Sequence, residues 1–169
     1  MTEGLNRYSR LAPEEKTQQL AVFTLGALEY AVDIMRIKQI IRPQPIRPVP
    51  HAPEFVDGVI ELRGSVIPVL DLRRRFGLEP DDDARAVKLI IVKLRGRQVG
   101  LVVDRVVGVH RVRVDDIRPT PQWIAGPEAA VFSGVCRRED HLVLILDLEQ
   151  LLSTREALSL SELGPATVR

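Results

Sequence analysis

The chain has 169 residues, with 24 Lys and Arg against 23 Asp and Glu, and its net charge of +1 supplies no global field toward nucleic acid or an anionic membrane. One cysteine, Cys136, excludes an intramolecular disulfide and fits a reducing cytoplasm, and no run approaches the ~18 apolar residues of a spanning helix. Aromatics are only 4% while Val, Ile and Leu dominate, which predicts a β-rich core of branched aliphatics and few platforms for stacking bases.

Residues 1–18 are polar and mixed in charge, a mobile tail with one helical turn near Pro13 to Gln18 and no apolar signal segment. Leu20 to Leu25 and Tyr30 to Ile34 are apolar runs joined by Gly26 to Glu29, a hairpin pattern. Ile37, Ile40 and Ile41 stand at helical spacing, so Met35 to Ile41 is expected as a short amphipathic turn. Prolines at 43, 45, 48, 50 and 53 then fix an extended connector over the surface, which also contains the P-x-x-P spacing of a signalling-domain ligand.

The central stretch runs from Gly58 to Leu72. Val59 to Leu62 and Val66 to Leu70 flank Arg63, Gly64 and Ser65, a second hairpin in which Gly64 takes a positive φ and Arg63 projects from the tip. The second run is apolar on both faces and must be covered on both. Pro68 lacks a ladder donor and belongs at an edge or a bulge. Asp71 is an N-cap for a helical turn through Arg73, Arg74, Arg75 and Phe76, closed by Gly77. The acidic run Glu79 to Asp83 is a solvated loop, with no glycine-bearing calcium loop after it.

From Val87 the first half is written again. Leu20 to Leu25 falls on Leu89 to Leu94, Arg36 on Arg105 and Ile37 on Val106, at a constant offset of 69. Gly58-Val59 and Leu70-Asp71-Leu72 fall on Gly134-Val135 and Leu146-Asp147-Leu148, at an offset of 76. Agreement at glycines and at the L-D-L ends, more than at aliphatics, argues for two copies of a small β-module that each bury little alone. Approximate halves are 19–85 and 86–158. Asp147 with Gln150 predicts a capping box opening a C-terminal helix from Leu148 to about Leu158, followed by a frayed tail over 159–169.

Reactive groups do not converge in the sequence. His51, His110 and His141 stand apart from any cysteine or carboxylate at metal-ligand spacing, so no metal or cofactor is expected. Asp71 and Asp147 are equivalent by the repeat and are explained by capping rather than by paired acid–base work. No phosphate-binding or nucleophile-elbow motif is present, no catalytic residue is assigned, and Cys136 is expected as a small buried residue. Arg73, Arg74 and Arg75, with Arg36, Lys38, Arg42 and Arg47, leave one alternative: a tandem small-barrel protein that binds single-stranded nucleic acid. Aromatics are not interleaved with these cations, and Asp81 to Asp83 lie close by.

The run G-V-I-E-L-R-G-S-V-I-P-V-L-D-L-R-R-R-F-G-L, from Gly58 to Leu78, resembles the signature of the CheW-like domain, the coupling module of bacterial chemotaxis. R-P-V-P-H-A-P (Arg47 to Pro53), V-G-L-V-V-D-R-V (Val99 to Val106) and L-V-L-I-L-D-L-E-Q-L-L (Leu142 to Leu152) match in order, so the likeness covers about Gln19 to Leu158. Glu61 stands where an asparagine often precedes L-R-G. The resemblance implies a mainly β fold: two SH3-like five-stranded β-barrel subdomains with a shared hydrophobic core, short helices and a C-terminal helix. It implies a non-enzymatic, stand-alone cytoplasmic adaptor recruited to membrane receptor arrays. Its partners would be methyl-accepting chemotaxis receptors and the regulatory domain of a CheA-type histidine kinase, with no nucleic acid and no membrane insertion. A groove between paired barrels would seat the tip of a receptor helical hairpin, with Val32, Ile34, Arg36, Arg63, Gly64 and Val102 lining or rimming it. No residues are assigned to the kinase.

Overall fold

The computed structural model describes residues 16–52, 54, 56–79, 87–125 and 130–152. Ten strands alternate with short helical turns: β1 Thr17–Leu25, β2 Leu28–Asp33, β3 Ile37–Ile41, β4 Val56–Leu62, β5 Ser65–Asp71, β6 Lys88–Leu94, β7 Arg97–Val103, β8 Arg105–Arg113, β9 Phe132–Arg138 and β10 His141–Leu146. Among the described residues two four-residue helices follow β5 and β8, α1 (Leu72–Arg75) and α2 (Gln122–Ala125). The strands form two five-stranded sheets, sheet I in the order β8-β1-β2-β10-β9 and sheet II in the order β3-β6-β7-β5-β4. β1 through β5 are the counterparts of β6 through β10, and replacing each strand by its counterpart converts one order into the other. Each sheet therefore combines the first hairpin of one copy with the last three strands of the other.

This exchange needs the chain to cross between sheets just after the first hairpin of each copy. In the first copy a 3-10 turn, Ile34–Arg36, makes the crossing, and the Asp33 carboxylate accepts the Met35 N–H at 2.9 Å. In the second the crossing residue is Asp104, which ties three segments together. Its carboxylate accepts from Gly26 N at 2.8 Å and from Arg73 Nε at 2.6 Å, with a second bond from Arg73 Nη2. Burial raises the Asp104 pKa, but the hydrogen bonds from Arg73 and Gly26 and the Arg73 charge outweigh it and hold the carboxyl below its ordinary value.

The glycines at equivalent positions have one physical cause. After β3 the connector returns along β4, where Arg47 and Val59 exchange two backbone hydrogen bonds of 2.9 Å. After β8 the chain does the same with Arg118 and Val135, at 2.8 Å each. Gly58 and Gly134 lie under these crossings: a Cβ on Gly58 would sit 2.5 Å from Arg47 O, and one on Gly134 2.8 Å from Arg118 O. Each crossing links the continuation of one edge strand to the opposite edge of the same sheet.

Alternation along the strands divides the core into three. Leu20 and Val22 join Ala31, Val143 and Ile145 in a small core belonging to sheet I, and Leu89 and Ile91 join Ile60, Ile67 and Val69 in its counterpart in sheet II. The opposite faces, including Phe23, Val32, Leu70, Ile90, Val92 and Leu101, meet in one larger core shared by both sheets. That is why these strands are apolar on both faces. Tyr30, Phe76 and Phe132 stack in the shared core with centroids 5.6–6.2 Å apart, joining β2 and β9 to the end of α1.

Several local expectations are corrected. Met35 to Ile41 is not helical beyond Arg36; Ile37–Ile41 is an edge strand on β6, with Lys38 and Ile40 exposed and the odd positions half-buried. β-branched Ile on a period of two suits a strand, and Ile40, 41% exposed, is the residue a helical face would have buried. β1 opens at Thr17, inside the stretch expected as tail, because β8 supplies partners to Thr17 and Gln18; residues 13–15 of the expected helical turn lie outside the described residues. Pro68 is on an interior strand, yet the ladder to β7 starts only at Val69, so at Pro68 the strand has one paired neighbour, β4. After Asp147 the chain makes a 3-10 turn, Leu148–Gln150, rather than a capped α-helix; the carboxylate accepts from Glu149 N at 3.1 Å, and residues 153–158 lie outside the described residues.

Candidate functional site

The β4–β5 turn has two central residues, Arg63 at φ +52° and Gly64 at φ +79°, with Leu62 already paired to Ser65. Both dihedrals are positive, the pattern that matches the twist of a tight hairpin, so Arg63 shares the left-handed geometry expected of the glycine alone. Arg63 and Gly64 are exposed, and nothing lies within 4 Å of a Cβ placed on Gly64. Among the described residues Arg63 makes no ion pair or side-chain hydrogen bond. A cation held on a rigid turn with its donors free is suited to a carboxylate or carbonyl of another molecule.

A second turn of the same kind stands at the same end of sheet II. Leu94-Arg95-Gly96 repeats Leu62-Arg63-Gly64, with φ of +49° at Arg95 and +77° at Gly96. Because β5 and β7 run parallel, both hairpin tips point the same way. β3 also starts at this end, since Ile37 is opposite Val92. The repeated L-R-G was the available signal for Arg95.

The expected site residues divide between this end and elsewhere. Arg36 donates to Lys93 O at 3.1 Å and pairs with Glu149, and Arg95 donates to Glu149 O at 2.8 Å, so both are tied to the fold while Arg63 is not. Ile34 is half-buried in the turn beside Arg36. Val102 is opposite Asp71 and Leu89, at the other end of sheet II and roughly 20 Å along the strand from Arg63. Val32 is 0% exposed in the shared core. The structure thus brings Ile34, Arg36, Arg63 and Gly64 to one end and leaves Val32 and Val102 outside it.

Asp71 and Asp147 are both occupied as caps, accepting Arg73 N at 3.0 Å and Glu149 N at 3.1 Å. Cys136 is buried, and burial pushes its thiol pKa up, away from the reactive thiolate. Among the described residues no three His, Cys, Asp or Glu side chains gather where they could hold a metal ion. None of the described helices is long and apolar enough to cross a membrane.

Residues 19–156 match the CheW-like domain family. The chain is 32% identical over 157 residues to the chemotaxis protein CheW of Treponema pallidum, covering 90% of this chain and 92% of that one. It is 30% identical over 140 residues to protein FrzA of Myxococcus xanthus, covering 81% and 86%. The crystal structure of the scaffolding protein TtCheW from Thermoanaerobacter tengcongensis superposes with a TM-score of 0.76 at 30% identity, over 83% of this chain and 91% of that one. With the two mirrored sheets, the paired glycine crossings and this agreement over nearly the whole chain, the protein belongs to the CheW-like domain family.

Proposed function

We propose that this chain is a non-enzymatic chemotaxis adaptor that couples methyl-accepting receptors to a CheA-type histidine kinase in a cytoplasmic array at the membrane. The observation that carries the reading is the likeness, over 83% of this chain and 91% of that one with a TM-score of 0.76, to a protein described as a scaffold. The end of sheet II that carries Arg63 is the proposed receptor contact. Arg63 and Gly64 form its free tip, and Ile34 and Arg36 its neighbours. Such contacts work while individually weak, on the order of micromolar or about −8 kcal/mol, because an array engages many copies at once. The nucleic-acid alternative lacks interleaved aromatics: Tyr30, Phe76 and Phe132 stack on one another in the core, and the exposed Trp123 is far in sequence from the Arg73 to Arg75 cluster.

Titration of the labelled full chain with a receptor cytoplasmic hairpin, and separately with a kinase regulatory domain, tests the reading. Saturable binding to both is expected, and loss of the receptor arm alone in Arg63→Ala. Binding to neither, with salt-dependent binding to a single-stranded oligonucleotide, would overturn it.

A further inference from the structure

β8 and β9 are the two edges of sheet I, and between them opens a cleft of about 460 Å³. Its walls carry Arg111 and Arg113 from β8, Arg118 from the segment that crosses back, and Arg137 from β9. All four are exposed, and among the described residues none makes an ion pair or a side-chain hydrogen bond. Among the described residues Asp116 is the sole carboxylate in the lining. In a chain whose net charge is only +1, this is a local excess of four cations gathered from three segments by the fold.

The floor differs from the rim. Val112, Val135 and Cys136 are buried beneath the cleft, and Leu142 reaches it 36% exposed. A volume in the range of ~300–1,000 Å³ typical of ligand clefts, with an apolar base and planar cationic forks above, calls for an anion that also brings apolar surface. Arg111 and Arg113 are two residues apart on one strand, about 6.6 Å, which is also the spacing of alternate side chains on an extended peptide. Among the described residues the lining holds no Phe, Tyr or Trp and its one ring is the half-buried imidazole of His110, so a nucleobase would find no large face to stack on, and a bare polyphosphate would leave the floor uncovered.

We propose that this cleft binds an acidic, extended peptide segment of a partner protein, with its carboxylates on the arginine rim and an aliphatic side chain on the floor. The site shares no residue with the Arg63 end of sheet II and stands or falls independently of the adaptor reading.

The test uses the full chain and a fluorescein-labelled heptapeptide of alternating glutamate and leucine, read by fluorescence anisotropy. Arg111→Ser with Arg137→Ser is expected to weaken binding at least about tenfold, since two charge-assisted contacts are lost. Lys38→Ser with Arg42→Ser, an equal charge loss on exposed positions of sheet II and its connector, is expected to change it less than about twofold. Thermal melting confirms that each variant folds, and Arg113→Ser alone serves if the double variant does not. Failure to bind, equal weakening by both double variants, or equal affinity for an all-glutamate heptapeptide would overturn the proposal. So would displacement by inorganic triphosphate or tighter binding of oligo-dT, which would mark the cleft as a phosphate or nucleic-acid site instead.

Discussion

The two copies of the module share a plan and differ at their tips and connectors. In the first copy the β4–β5 turn presents Arg63 and Gly64, and a proline-rich connector follows β3. In the second the equivalent β9–β10 turn is Glu139-Asp140, and the connector after β8 carries Asp115, Asp116 and Arg118. What is common is buried or backbone-bound: the glycine under each crossing, the aspartate cap after the fifth strand and the double-faced aliphatic strands. What differs is exposed. Duplication has kept the parts that hold two sheets together and left each outer end free to acquire its own contacts.

The largest expected difference between the copies lies at the crossings. At Gly58 an added Cβ meets Arg47 O at 2.5 Å and Ile46 Cγ2 at 2.6 Å, and the residue also has a φ of +155°. Gly134 has a similar crowding, 2.7 Å to Ile117 Cγ2, without the positive φ. Overpacking and backbone strain together predict a loss of about 3–5 kcal/mol for Gly58→Ala and about 1–3 kcal/mol for Gly134→Ala. Denaturant titration of the two variants measures the gap, and equal losses would show that the crossing alone, not the backbone, sets the glycine requirement.

Asp104 tests whether the second crossing is held as firmly as the first. With its side chain and that of Arg73 each 16% exposed, Asp104→Asn is expected to cost about 1.5–3 kcal/mol, the range for hydrogen bonds to a charged group. Because the folded carboxyl titrates below its ordinary value, its contribution is complete above the unfolded pKa and is lost as pH falls through the folded one. Stability measured by circular dichroism should therefore fall as pH drops below the ordinary carboxylate range, and Asp104→Asn should flatten that acid limb. An unchanged acid limb would remove Asp104 from the lock between sheets.

Because the shared core draws on both sheets, heat should unfold them in one transition seen alike by near- and far-ultraviolet circular dichroism. Two separated transitions would show that each sheet stands on its own small core. The smallest effect on stability is expected at the tip: Arg63→Ala should stay within about 0.5 kcal/mol of wild type, as exposed positions do, while receptor binding is lost. A large fall in stability would make Arg63 a structural residue and move the proposed contact elsewhere.

How far the sequence could be followed depended on whether a pattern was local. The hairpins around Gly26 and Arg63-Gly64, the cap at Asp71 and the offsets of 69 and 76 were legible because turn chemistry and strand alternation act over a few neighbouring residues. Ile37–Ile41 was ambiguous because three isoleucines satisfy both periods, and pairing with β6 decides between them. Val32 looked suitable for a rim because its position on β2 carries no sign of which face meets the shared core.

By itself the sequence determined a doubled, aliphatic β-module with its turns and caps, since these follow from side-chain shape and backbone freedom at each position, and it marked Gly58 and Gly134 as equivalent without giving their cause. Only the tertiary structure decided that the copies exchange their last three strands, so that each sheet is built from both. It alone brought Arg36 and Arg95 onto Glu149 while leaving Arg63 free, and gathered Arg111, Arg113, Arg118 and Arg137 around one cleft. Those outcomes depend on contacts between residues far apart in the chain, where burial of two faces at once selects one pairing among several that the local pattern allows.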